Sequence, residues 1–218
     1  MIKIEVWSDI NCPFCYIGKR HLEAALQKFQ KSNKVEVVWK SFELDPNSNP
    51  PKGADSTDLL AKKYGRDRQW AMQMNETLTH MAAQVGLNFH LDKVIAANSF
   101  NAHRLIHLAE THGLSEKMKE KLLAAKFVEG EDIGDNQALK KAAISIGLGP
   151  QEVMEVLESD LFGEKVRTDE EEARALGIRG VPFFLFNKQK AISGAQALEV
   201  FLAALNEAAG FEVNKKLE

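Results

Sequence analysis

Two cysteines, Cys12 and Cys15, stand three residues apart, and the 218-residue chain has no others. They follow directly on Met1–Ser8 (MIKIEVWS), where Ile2, Ile4 and Val6 alternate with Lys3 and Glu5 as a strand with one buried face requires. They also open a segment in which Cys15, Gly18, Leu22, Ala25, Leu26 and Phe29 recur on one helical face. A strand that hands a Cys-x-x-Cys motif to the start of a helix narrows the fold more than any other feature of the chain. Pro13 suits that position, since the first turn of a helix has no use for its missing N–H.

The placement has chemical consequences. A sulfur at residue 12 lies where unpaired backbone N–H groups and the positive end of the helix dipole favour a thiolate, so Cys12 is expected to be the nucleophile. Cys15, one turn further on the inward face, can reach Cys12 while shielded from bulky partners, and is expected to resolve what Cys12 forms. Pro13 and Phe14 between them tune the pair, and they bring neither a charge nor a side-chain donor. The expectation is therefore a Cys12 pKa near ~7 rather than the ~3.5 of the most activated pairs.

Other readings compete with this one. Random placement would give the Cys-x-x-Cys spacing about once in a hundred cysteine pairs, which weighs against idle thiols. A zinc site needs about four ligands, and the only further suggestive spacing is His103 and His107, so no metal is expected. A structural disulfide between them would be short and strained.

A net charge of −3 gives no basic excess for a phosphate backbone, which excludes nucleic acid as a partner class. No run approaches the ~18–20 apolar residues that cross a bilayer, so no membrane partner is expected. The N-terminus lacks a basic-then-apolar signal pattern, and a cytoplasmic residence is expected. With no G-x-x-x-x-G-K-[ST] or G-x-G-x-x-G, there is no case for a bound nucleotide.

Further along, Val35–Leu44 (VEVVWKSFEL) reads as a second strand, closed by the turn formers Asp45–Pro51. From Ala54 to Leu161 helical periodicities prevail, beginning with Trp70, Met74, Leu78, Met81 and Val85. Helices are predicted at Ser99–Thr111, Glu116–Glu129, Asn136–Ile146, Gln151–Leu161 and Thr168–Leu176. Val181–Phe186 and Lys190–Ser193 restore strand character around a short turn, and a final helix is predicted over Ala195–Ala208. The order strand, helix, strand, helical block, hairpin, helix predicts an α/β chain: a thioredoxin-like fold with an inserted all-helical domain. The boundaries read as 1–45 and 165–218 for the discontinuous thioredoxin-like domain and 46–164 for the insert.

Taken together, Ser8–Gly18 (SDINCPFCYIG), Ser41–Leu44, Ala97–Arg104, Gly130–Gly134, Gly180–Phe184 and Ser193–Gln196 resemble the DsbA-like thioredoxin domain family, in particular its cytoplasmic FrnE-like branch. The resemblance runs over nearly the whole chain. It implies protein disulfide oxidoreductase or isomerase activity, with a cis peptide before Pro182 beside the cysteine pair. Val181 would then offer backbone groups to an extended substrate. Phe14 replaces the tryptophan common in that branch. No second cysteine pair is present for an internal relay, so an external redox partner is required.

No bound cofactor is implied; glutathione is a candidate co-substrate, and the implied partners are disulfide or thiol proteins or small thiols. Nothing in the sequence fixes an oligomeric state. Kappa-class glutathione transferases and a chromene-carboxylate isomerase resemble the chain in their helical insert, but typically carry serine where Cys12 stands. By the same resemblance Asn98, Phe100, His103 and Arg104 face the active-site groove and are candidate substrate contacts. The plainer alternative has Asn98 or Ser99 capping a helix, Phe100 packed inside, and His103 and Arg104 solvated. Ser193 and Gln196 match an S-x-x-Q capping box.

Overall fold

The structure is a computed structural model in which residues 1–30, 34–51 and 54–210 are described. Strands β1 (Ile2–Ser8), β2 (Val35–Ser41), β3 (Phe183–Phe186) and β4 (Lys190–Ser193) form one mixed sheet in the order β2-β1-β3-β4. β1 and β2 run parallel, with Ile4 opposite Val37 and Ser8 opposite Ser41. The parallel pair requires a crossover, which helix α1 (Pro13–Lys28) supplies. β3 lies antiparallel to β1 and turns through Asn187 and Lys188, both at positive φ, into β4.

Between β2 and β3 come α2 (Ser56–Tyr64), α3 (Arg68–Gln84), α4 (Phe100–Thr111), α5 (Ser115–Ala124), α6 (Asn136–Ser145), α7 (Pro150–Glu158) and α8 (Gly163–Ala175). Helix α9 (Leu198–Ala208) follows β4 and packs beside α1. The alternation in β1 sorts its residues between two clusters. Ile2, Ile4 and Val6 join a large cluster with Leu22 of α1, Phe201 of α9, Leu105 of α4 and Leu122 of α5, so sheet and helical layer share one core. Trp7 enters a smaller cluster with Leu185, Ile178 and Ala173 of α8.

Asp169 fastens α8 to the sheet. Its carboxylate accepts hydrogen bonds from the Ser41 N–H and Lys40 Nζ at 2.8 and 2.9 Å, while its backbone carbonyl accepts from Trp7 Nε1 at 2.9 Å. His107 of α4 lies 3.2 Å from the same carboxylate and 3.0 Å from Ser41 Oγ, so it is engaged in packing α4 and α8 onto β2.

Several boundaries depart from expectation, each for a local reason. β2 ends at Ser41 rather than Leu44, because the Leu44 and Glu43 N–H groups donate to the side chains of Asp9 and Glu170 instead of a strand neighbour. The helix predicted through Glu129 changes at Ala125 into a π-helical turn, Ala125–Glu129. There the Phe127 carbonyl accepts from the His90 N–H, and Lys126 Nζ donates to the Ile95 carbonyl at 2.8 Å. α9 begins at Leu198, and Gln196 donates its side-chain amide to the Ser193 carbonyl, so the capping box does not form. α8 starts at Gly163, five residues before the predicted Thr168.

One glycine sets how closely α1 approaches the β3 entry. A Cβ on Gly18 would stand 3.0 Å from Pro182 Cγ and 3.2 Å from Phe184 Cζ. Gly18→Val is therefore expected to destabilise the fold by about 1–3 kcal/mol through overpacking, measured by chemical denaturation. An unchanged denaturation midpoint would mean that α1 can retreat from Pro182 without cost.

Candidate active site

The end of β1 and the start of α1 are joined by a turn that Asp9 organises from inside the protein. Asp9 is fully buried; its Oδ1 accepts from the Asn11 N–H at 3.0 Å and its Oδ2 from the Leu44 N–H at 2.8 Å. His103 Nε2 lies 3.4 Å from Oδ1, within ion-pair reach but without hydrogen-bond alignment. Burial pushes this carboxyl up, yet His103 and the two amides outweigh it and hold the pKa at about 2. Burial lowers the pKa of His103 itself, and Asp9 opposes that shift.

The turn delivers Cys12 to the N-cap of α1, with extended backbone angles and Pro13 at the first helical position. Cys12 is 4% exposed and Cys15 1%, and both are free thiols. Cys12 Sγ donates to the Val181 carbonyl at 3.4 Å, and the Val181–Pro182 peptide is cis. Phe14 stands exposed at the mouth. Thus Cys12, Cys15, Pro13, Phe14, Val181 and Pro182 meet at one point although Val181 lies 169 residues beyond Cys12 in sequence.

The two thiols titrate as a pair. The close approach of the Cys15 sulfur, then burial and the negative charge on Cys15, push the Cys12 thiol well above the ordinary value. Burial would push Cys15 up too, but the neighbouring Cys12 thiol, the ammonium of Lys119 and the nearby Ser8 hydroxyl bring it below. The first proton of the pair is lost easily and the second with difficulty. This differs in direction from the expectation of a depressed pKa on Cys12 itself: the inner sulfur is the one whose pKa is lowered, with the ammonium of Lys119 from α5 among the causes.

Asn98 and Phe100 line a cleft of about 390 Å³ together with Ser48, Ala97, Asn101 and Asp132; neither cysteine lines it. The cleft connects to the cysteine turn through Asn11 Nδ2, which donates to the Ala97 carbonyl at 2.9 Å. Asn98 Oδ1 accepts from the Phe100 N–H at 2.8 Å, which makes it a local cap of α4. Two expectations fail here. His103 and Arg104 are not solvated but 1% and 3% exposed, and His103, turned inward to Asp9, has no surface to give a substrate. Arg104 instead donates to the carbonyls of Val156, Ser159 and Leu161 that follow from the end of α7.

The residues that sequence reasoning missed are Asp9 and Lys119. Asp9 could have been suspected from its place in the Ser8–Gly18 motif; Lys119 is one of three lysines in Lys117–Lys121 and carries no local signal. Among the described residues, no group of three or more His, Cys, Asp or Glu side chains is disposed to hold a metal ion, and no helix is long and apolar enough to cross a membrane.

Residues 3–206 match the family model described as the DSBA-like thioredoxin domain, and the chain belongs to that family. It is similar to a probable DsbA oxidoreductase from Streptomyces coelicolor, with 36% identity, 100% of this chain and 94% of that chain covered, and a TM-score of 0.92. Among curated proteins it is similar to the uncharacterized YwbO of Bacillus subtilis, 28% identical over 94% of this chain and 96% of that one. Two more distant likenesses concern the fold. One is a 2-hydroxychromene-2-carboxylate isomerase, with 16% identity, TM-score 0.70, and 95% and 96% of the two chains covered. The other is the cytosolic disulfide reductase DsbM of Pseudomonas aeruginosa with GSH, with 17% identity, TM-score 0.65, and 99% and 100% covered.

Because the folded pKa of Asp9 is depressed below the unfolded ~3.9, its contribution is present above that value and lost as pH falls toward about 2. Asp9→Asn is expected to remove about 2–3 kcal/mol from the stability change between pH 5 and pH 2. Denaturation at a series of pH values reads this directly, and a variant with the same acid dependence as the parent would contradict the assigned role.

Proposed function

We propose that the protein is a thiol–disulfide oxidoreductase that oxidises, reduces or isomerises disulfides of protein or small-thiol substrates through Cys12-Pro13-Phe14-Cys15. The observation that carries this reading is the position of Cys12: a sulfur at a helix N-cap, against the carbonyl of the residue before a cis proline, with a second thiol one turn behind it. The cytosolic description of DsbM and the chain's having no cysteines beyond the pair favour a cytoplasmic setting, with glutathione as co-substrate and an external protein or thiol as redox partner.

The steps follow from which sulfur a substrate can reach. As a disulfide approaches, the proton shared by the pair passes from Cys12 to Cys15, and the Cys12 thiolate attacks one substrate sulfur. The substrate S–S bond breaks, a Cys12–substrate bond forms, and the other substrate sulfur leaves as a thiolate. Cys15 then gives up its proton and attacks Cys12, releasing the second thiolate and closing the Cys12–Cys15 disulfide. Run backward, the same steps donate a disulfide. Val181, beside Cys12, supports the extended substrate segment by backbone pairing.

A second reading, a glutathione-dependent transferase or isomerase, draws on the likeness to the chromene-carboxylate isomerase. The presence of Cys15 disfavours it, because a resolving thiol attacks a Cys12–glutathione disulfide, closing the Cys12–Cys15 bond and releasing glutathione as its thiolate rather than holding it. A metal- or partner-binding module is the third alternative, and zinc bound stoichiometrically through both thiols would support it.

Insulin reduction driven by dithiothreitol tests the proposal. Cys12→Ser is expected to fall to background, whereas Cys15→Ser is expected to lose turnover and accumulate a mixed disulfide visible by mass spectrometry. Full turnover by the Cys12→Ser protein would falsify the redox reading; conjugation of glutathione to an electrophile in its place would favour the second.

A further inference from the structure

The inward end of the cysteine pair opens onto an arrangement that disulfide exchange by itself does not call for. Lys119, from α5 in the helical layer, is 1% exposed, a rare state for a lysine. Its Nζ donates to the Ser8 carbonyl at 3.2 Å and stands 5.5 Å from the centroid of the Trp39 ring. Among the described residues that carbonyl is the one hydrogen-bond acceptor of an ammonium that has three N–H groups. Ser8 Oγ, equally buried, has no hydrogen-bond partner there, and it lies beside Cys15. A buried cation bonded to the Ser8 carbonyl and an unpartnered Ser8 hydroxyl thus lie at the inward end of the pair, and both favour negative charge on Cys15.

We propose that the helical layer governs the redox equilibrium of the pair, with Lys119 as a positioning residue that, together with the Ser8 hydroxyl, holds negative charge on the Cys15 sulfur. The inference rests on the oxidoreductase reading and adds to it a residue outside the Cys-x-x-Cys segment. The charged and titratable groups around the Lys119 ammonium come from each neighbouring element: Cys12 and Cys15 on α1, Asp9 after β1, His103 on α4 and Glu116 on its own helix. Burial draws the Lys119 pKa down to about 8, and the negative charges on Cys15, Asp9, Cys12 and Glu116 oppose that. β2 contributes only the Trp39 ring.

The direction of the effect follows from charge. When the reduced pair is ionised it carries a thiolate and a thiol, and the ammonium of Lys119 favours the charge on Cys15. Oxidation by glutathione disulfide joins the two protein sulfurs, breaks the glutathione S–S bond, and yields one glutathione thiolate and one glutathione thiol. Charge and protons balance, but the buried negative sulfur is gone, and Lys119 is left with Asp9 and Glu116. Lys119 therefore favours the reduced pair and makes the disulfide a better oxidant than the same motif would be without it.

Lys119→Met retains length and apolar contact; Lys119→Arg retains charge. Thiolate absorbance against pH and equilibration with glutathione and its disulfide are measured on each full-length protein, with unfolding curves run in parallel. In the Met variant the thiolate midpoint is expected to rise by at least about one unit, and the equilibrium to shift about tenfold or more toward disulfide. The Arg variant is expected to stay within about threefold of the parent. If the Met variant does not fold, Ser8→Ala is measured instead, with a smaller shift expected in the same two readouts.

Unchanged midpoint and equilibrium in a folded Met variant, or in Ser8→Ala where that replaces it, would overturn the proposal. So would a parental thiolate midpoint at or above the free-cysteine value of about 8.5. A parent protein that never equilibrates with glutathione would instead bring down the oxidoreductase reading beneath it, and the two failures are distinguished by the parent's own behaviour.

Discussion

Asp9 is the place where strand, cysteine-bearing helix and helical layer meet, and the geometry of the site depends on its carboxylate being both buried and satisfied. An ionised carboxylate away from water is costly unless its lone pairs are met. Here the Asn11 and Leu44 amides meet them, and His103 stands alongside. The two amides belong to the turn that carries Cys12 and to the segment leaving β2, so satisfying one charge fixes the relative position of two chain segments. Removing the carboxylate would leave those N–H groups buried without partners, a cost as large as many single core contacts.

A second consequence concerns charge balance in the interior. Asp9 brings negative charge; Lys119 and Lys126, both buried, bring positive charge, and both lysines come from α5 and the π-helical turn that continues it. Lys126 is spent on the Ile95 carbonyl, where it holds the segment leading to Ala97, whose carbonyl receives Asn11. The π turn is what lets Phe127 and Lys126 serve that segment, in keeping with the frequent occurrence of such turns near functional sites. The helical layer is therefore not a passive insert: it supplies the counter-charge and the scaffold for the cysteine turn.

Much of this was legible in one dimension. Period-two alternation marked β1, and helical spacing with Pro13 marked α1 so well that Cys12 falls at its cap. The hairpin and the long helical run were readable from turn residues and periodicity. What failed were boundaries set by long-range partners. β2 stops where Asp9 and Glu170 capture its donors; α5 changes form where His90 and Ile95 engage it; and the Ser193–Gln196 pair, a capping box by pattern, closes on itself before α9 begins. His103 illustrates the same gap: a histidine near a helix start looks solvated until Asp9 is seen facing it.

The sequence by itself determined that two thiols would sit at the head of a helix behind a strand, because alternation, helical period and the preference of proline for a first turn are local properties. Only the tertiary structure decided what surrounds them: the Val181 carbonyl against Cys12, the carboxylate of Asp9 beneath the turn, and the ammonium of Lys119 behind Cys15. Those groups lie far apart along the chain, and electrostatic and hydrogen-bond energies depend on distance through space and on exclusion of water, neither of which is written in residue order.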